Sequence, residues 1–166
     1  PGGDLAVRSP ARMALAHLWQ AGLDWPDALA PVQALCYEER TALRAQLERR
    51  LNTPLTSSLG RLLDAASALC GLRQKISYEG QAAIELEALA ARAENGAYPL
   101  PLSGQTLLLG PFWEALIKDL LAGLALPLLA ARIHNSIVAA SISACDAIRA
   151  ADGLQTVALS GGVWQN

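Results

Sequence analysis

Proline and glycine cut this chain into helix-length apolar segments, and that punctuation constrains the fold more than any other feature. Pro10, Pro111 and Pro127 stand where apolar periodicity begins. Proline's fixed φ suits the first turn of a helix, where its missing N–H is not needed. Gly22, Gly71, Gly123 and Gly153 stand where the periodicity stops, and a left-handed C-cap favours glycine there. Helices are therefore predicted over residues 10–21, 38–51, 58–70, 81–96, 111–122 and 127–151. Glu38 and Glu39 open the second of these and Arg49 and Arg50 close it, in the sense the helix dipole favours. Leu62, Leu63, Ala66 and Leu69 lay an apolar stripe along the third. Residues 98–102 and 106–109 are predicted to pair as short strands about Ser103-Gly104.

The composition suits a buried helical core. Of 166 residues, 52% are apolar and 17% charged, enough for a sizeable core. Aromatics are only 5%, so Leu and Ala must fill it. The net charge is -2 and the basic residues are spread along the chain. This argues against an extended nucleic-acid surface, which needs clustered Lys and Arg. Cys36, Cys70 and Cys145 are odd in number, far apart and without CxxC or zinc spacing. They read as buried free thiols in a reducing, cytoplasmic setting. Residues 116–129 are apolar but interrupted by Lys118, Asp119, Gly123 and Pro127, so no membrane span is expected there. Neither His17 nor His134 has a second His at i+4, so no helical metal pair is visible.

Three local patterns carry potential chemistry. Thr156-Val157-Ala158-Leu159 reads as a buried strand that feeds Ser160-Gly161-Gly162 and then the start of a helix. Backbone N–H groups at such a turn, with the positive end of a helix, suit an anion. Nucleotide phosphates over the glycines, with the Asn166 amide on a sugar or phosphate group, is one reading. A tight turn that needs glycine for geometry alone is the other. Thr56-Ser57-Ser58 with Gly60 and Asp64 is a hydroxyl-rich helix start whose acid lies within reach of a ribose; taken locally, ordinary N-capping explains it better. Tyr78-Glu79-Gly80-Gln81 resembles a ligand seat at a helix start, but a simple loop-to-helix turn is the better local explanation. The chain opens on Pro1-Gly2-Gly3 and closes within the first turn of that last helix. It is therefore expected to be an internal piece of a larger protein.

Taken in order, several sequence words are more specific than any one. They are Pro1-Gly2-Gly3-Asp4, Leu51-Asn52-Thr53-Pro54-Leu55-Thr56-Ser57-Ser58, Ser77-Tyr78-Glu79-Gly80-Gln81-Ala82-Ala83-Ile84-Glu85-Leu86-Glu87, Ile133-His134-Asn135 and the stretch from Val157 through Ser160-Gly161-Gly162 to Asn166. The series resembles the C-terminal region of HypF-type carbamoyltransferases of nickel–iron hydrogenase maturation, over essentially the whole chain. The resemblance implies a mainly α fragment of an α/β, actin/sugar-kinase-like (TsaD-like) ATPase domain: several helices followed by one strand and a Gly-Gly turn, forming one incomplete domain over residues 1–166. It implies ATP and carbamoyl phosphate as substrates and carbamoyl-adenylate as intermediate. The acceptor it implies is the C-terminal Cys thiol of HypE. A divalent metal is implied for the intact domain, with its ligands outside this chain, and the isolated piece is expected to be inactive.

Carried across by motif, Asp64 matches the acid that holds ribose. Gly80 falls near a glycine that approaches the nucleotide, although the loop differs in length. Ser160, Gly161, Gly162 and Asn166 match a nucleotide-binding Ser-Gly-Gly…Asn motif. Leu63 and Ile133 stand where Phe is expected, and Trp164 replaces a common Phe; these are apolar swaps at packing positions. A TsaD-type enzyme that modifies tRNA with threonylcarbamoyl shares the Ser-Gly-Gly logic, but the acidic balance and the Tyr78-Glu79-Gly80-Gln81 wording disfavour it. A non-enzymatic helical interaction module fits the composition as well.

Overall fold

Helices carry nearly all of the regular structure, as the punctuation predicts. The computed structural model describes residues 1–165, and Asn166 lies outside that range. The chain forms two compact units, residues 1–88 and residues 89 onward.

The first unit holds α1 (Asp4–Arg8), α2 (Pro10–Gln20), α3 (Ala30–Gln33), α4 (Tyr37–Glu48), α5 (Leu59–Leu69) and α6 (Gln81–Leu89), whose last residue passes into the second unit. α1 has no sequence forecast; Asp4 opens it and Arg8 closes it, again in the sense of the dipole. α2 packs most extensively on α5. Leu15 and Leu18 of α2 and Leu62, Leu63 and Leu69 of α5 are buried, each contributing about 1.5–3 kcal/mol of transfer free energy. The Glu39 carboxylate accepts from the Cys36 N–H at 2.9 Å and fixes the start of α4. This helix ends at Glu48, short of the predicted Leu51, because Arg50 and Asn52 adopt left-handed φ values of 54° and 49° and turn the chain away.

The second unit is built on α7 (Gly110–Leu121) and α8 (Leu126–Asp152), with a short hairpin of β1 (Leu102–Ser103) and β2 (Thr106–Leu107). The strands are antiparallel, Leu102 opposite Leu107 and Ser103 opposite Thr106. Phe112 and Trp113 of α7 are fully buried. Phe112 meets the Tyr98 ring edge-on at 5.8 Å and the Trp113 ring at 4.7 Å. α6 stops at Leu89 rather than near Gly96. Beyond it the backbone finds other partners: the Ala91 N–H donates to the Pro127 carbonyl at 3.0 Å, and the Asn135 amide donates to the Glu94 and Gly96 carbonyls at 2.9 Å. Tertiary bonds there replace the helix ladder.

Among the described residues, α8 is the one helix long and apolar enough to cross a membrane. Its N-terminal half is a core helix, with Leu129, Ile133 and Ile137 buried.

The expected strand at 156–159 does not form. Val157 and Leu159 are 55% and 62% exposed, and the only strand pairing among the described residues is β1 with β2. An apolar run supplies the side chains of a strand, but the ladder needs a second chain segment beside it. A 3₁₀ turn, Gly162–Gln165, follows in place of a full helical start. The mainly helical fold class stands; the terminal strand is corrected.

Candidate functional site

The outer two hydroxyls of the Thr56-Ser57-Ser58 word set the start of α5. Thr56 Oγ1 accepts from the Ser58 N–H at 3.2 Å, and Ser58 Oγ accepts from the Arg61 N–H at 3.3 Å, an N-cap as the local reading expects. With the helix start fixed, Arg61 and Asp64 lie three residues apart on one face. Arg61 Nη1 is 2.9 Å from Asp64 Oδ2.

Asp64 is only 1% exposed. Neither of its carboxylate oxygens, nor Arg61 Nη1, has a hydrogen-bond partner among the described residues. The ion pair is close but not aligned as a hydrogen bond. Burial pushes the Asp64 carboxyl above its ordinary pKa, Arg61 opposes that push, and the like charge of Glu79 adds to it. A buried carboxylate with two unfilled acceptors costs stability, and this cost is typical of a functional site.

The turn before α6 is built by Gln81. The Ser77 N–H donates to Gln81 Oε1 at 2.8 Å, and Gln81 Nε2 donates to Glu85 Oε1 at 3.0 Å. Arg73 pairs with the same Glu85. Gly80 sits at φ +80°, a conformation strained for any residue with a Cβ. Its neighbour Glu79 reaches Arg61 Nη2 at 3.9 Å with its carboxylate in water. Arg61 therefore links two sequence-predicted sites, Asp64 and the Gly80 turn. Sequence reasoning missed Arg61; the available signal was a base three residues before an acid on an apolar helix.

Ser160, Gly161 and Gly162 belong to the second unit and are exposed. Gly161 adopts φ +92° with open space around it, so backbone conformation is what requires glycine there. The Trp164 N–H closes the turn on the Gly161 carbonyl at 3.2 Å. The strand expected to feed this turn is absent, and Asn166 lies outside the described residues.

The same unit holds a different polar cluster. Arg132 Nη1 is 2.7 Å from Asp119 Oδ2 and its Nε is 3.4 Å from Glu94 Oε1. The Tyr98 hydroxyl also donates to Asp119, at 3.2 Å. Ser136 Oγ accepts from the Tyr98 N–H at 2.7 Å and donates to the Arg132 carbonyl at 2.6 Å. A Cβ at Gly96 would come within 2.5 Å of Glu94 Oε1 and 2.9 Å of Arg132 Nε, so any larger residue there would displace these side chains of the cluster.

The cysteines are free. Cys36 is exposed at the start of α4, which corrects the expectation of burial, while Cys70 and Cys145 are half-buried. Burial pushes the Cys70 thiol up to about 12, unsuited to thiolate chemistry. Burial lowers His17 to about 4. Among the described residues no group of three His, Cys, Asp or Glu side chains could hold a metal ion. Leu63 and Ile133 are core residues, as expected of packing positions, whereas Trp164 is partly exposed. Cavities of about 330 Å³ beside Tyr98 and Ser136 and about 530 Å³ beside Trp25 and Arg44 contain none of the predicted site residues.

The helical architecture is that of part of a Kae1-like domain, matching solved HypF structures. The family described as carbamoyltransferase, Kae1-like domain, second subdomain, matches residues 1–166, and the chain belongs to it. A carbamoyltransferase HypF from Synechocystis sp. is 34% identical over 182 residues, covering 99% of this chain and 23% of that protein. One from Rhodobacter capsulatus is 38% identical over 170 residues, covering 99% and 21%. A full-length HypF crystallised in the phosphate- and nucleotide-bound form matches at TM-score 0.87 and 30% identity, over 100% of this chain and 22% of that one. HypF of T. kodakarensis matches at TM-score 0.77 and 26% identity, over 98% and 23%. The chain thus spans less than a quarter of the length of these curated relatives.

Proposed function

We propose that this chain contributes part of a nucleotide site to a HypF-type carbamoyltransferase. That enzyme would use carbamoyl phosphate and ATP to form carbamoyl-adenylate and pass the carbamoyl group to the C-terminal Cys thiol of HypE, for cyanide-ligand synthesis in hydrogenase maturation. The reading rests on one observation above all. Asp64 is a buried carboxylate with both oxygens unfilled and a guanidinium beside it, a pair of acceptors that fits the vicinal hydroxyls of a ribose. The family match and the nucleotide-bound HypF among the similar structures support it.

In this reading Asp64 accepts from the ribose hydroxyls. The Gly80 turn lets backbone approach the nucleotide. In the second unit, taken by itself, the turn of Ser160, Gly161 and Gly162 with Asn166 is a phosphate seat through N–H and amide donors. A divalent metal, held by residues outside this chain, would supply charge to the phosphates. The setting is cytoplasmic, with no membrane or nucleic-acid partner.

The test is calorimetric binding of ATP to a polypeptide of the relatives' full length that carries this chain. Asp64→Ala is expected to weaken ATP binding at least tenfold, on the order of the loss of a hydrogen-bonded charged acceptor. Unchanged affinity in a folded Asp64→Ala variant refutes the site. Carbamoyl transfer to HypE, measured in the same protein, tests the reaction.

A further inference from the structure

The contact between Arg61 and Asp64 goes beyond structural pairing. On α5 the guanidinium lies 2.9 Å from the carboxylate, both side chains are largely withdrawn from water, and the pair leaves both carboxylate oxygens without a hydrogen-bond donor. A pair that served only the fold would be expected to engage those acceptors, as the Arg132 cluster places two donors on Asp119 Oδ2. Arg61 neutralises the buried charge while leaving its lone pairs open.

We propose that Arg61 is a positioning residue, which keeps the buried Asp64 carboxylate ionised and oriented so that it can accept from the two hydroxyls of a nucleotide ribose. The inference deepens the nucleotide reading and rests on it. The charges acting on Asp64 are Arg61 on its own helix and Glu79 on the turn before α6. α2, packed on α5, carries Arg12 and His17; neither acts on Asp64. α3 carries no ionisable side chain. Glu79 is 88% exposed and 3.9 Å from Arg61, so water screens most of its effect. Without Arg61, burial and Glu79 both act to protonate Asp64. A protonated carboxyl loses acceptor capacity, so ribose binding then depends on pH.

The test has two readouts. The first follows the carboxyl ¹³C shift of Asp64 with pH in this chain, in wild type, Arg61→Gln and Arg61→Lys. Arg61→Gln is expected to raise the Asp64 midpoint by about one unit or more, and Arg61→Lys to restore most of the wild-type value. An unmoved midpoint in Arg61→Gln overturns the inference, and if that variant does not fold, a wild-type midpoint retained by Arg61→Lys supports it while a raised one overturns it.

The second compares ATP affinity at pH 6 and pH 8 in the full-length protein. Arg61→Gln is expected to lose roughly tenfold more affinity at pH 6 than wild type does. Wild type that binds ATP, with Arg61→Gln following it in parallel at both pH values, overturns this inference alone. Wild type that binds no ATP overturns the nucleotide reading, and this one with it, whatever Asp64 titrates.

Discussion

The Arg132 cluster of the second unit and the Asp64 site of the first treat their charges in opposite ways. In the second, Arg132 is shared by Asp119 and Glu94, Tyr98 adds a donor to Asp119, and Asn135 and Ser136 satisfy the nearby backbone. Arg132, Asp119 and Glu94 remain partly in water, and the carboxylates hold Arg132 more firmly protonated. In the first unit, Asp64 is withdrawn from water, and burial is the main force on the protonation of His17, Asp64 and Cys70. A satisfied cluster pins a chain segment; an unsatisfied buried charge stores a cost that a ligand can recover. The first pattern is structural, and the second marks the candidate site.

Perturbations ordered by expected size test this contrast. His17 is neutral in the fold, its pKa lowered to about 4, while the unfolded chain titrates near 6.5. Acidification through that window protonates the unfolded state first, so stability is present above it and lost as pH falls. From pH 7 to pH 5 the loss from this residue is about 2 kcal/mol. Denaturant titrations at the two pH values should show it, and His17→Gln should remove it. An equal acid loss in His17→Gln would place its origin elsewhere.

Next in size, Gly96→Ala forces a Cβ against Glu94 and Arg132 and should cost about 1–2 kcal/mol. Thermal unfolding measures it, and an unchanged melting temperature means the cluster yields without loss. Ser58→Ala removes the α5 cap and should cost about 1 kcal/mol. Because α5 carries the candidate site, ATP affinity is expected to fall with it.

The smallest expected effect on stability is the most diagnostic. Asp64 has a raised pKa, so ionising it as pH rises through that value costs the fold stability. Replacing both partners, Arg61→Met with Asp64→Leu, should leave stability unchanged or raise it by about 1 kcal/mol, while nucleotide binding is lost. A large destabilisation by the double variant would make the pair structural and collapse the distinction between the two units.

Much of the helical scaffold was legible. Pro10, Pro111 and Pro127 lie at the first or second position of their helices, and Gly22, Gly71, Gly123 and Gly153 all take positive φ just beyond the helix ends. These are local effects, set by a pyrrolidine ring or a missing Cβ, so sequence reports them directly. The Ser58 cap and the hairpin at Ser103-Gly104 were legible for the same reason. Asp64 could be singled out by motif, but its burial could not, because locally it is an acid on a helix.

What the chain determined by itself is where most helices begin, where those closed by glycine end, and which faces are apolar, since φ preference and periodicity act within a few residues. What only the tertiary structure decided depends on distant partners. α6 ends early because Pro127 and Asn135 take up the backbone that follows it. Residues 156–159 stay open because no described segment lies alongside to complete a ladder. Asp64 acquires its unfilled, guanidinium-flanked burial because α5 is packed on α2 and Arg61 is held between that acid and Glu79. Hydrogen-bond partners and solvent exclusion are properties of the assembled fold, and no local pattern encodes them.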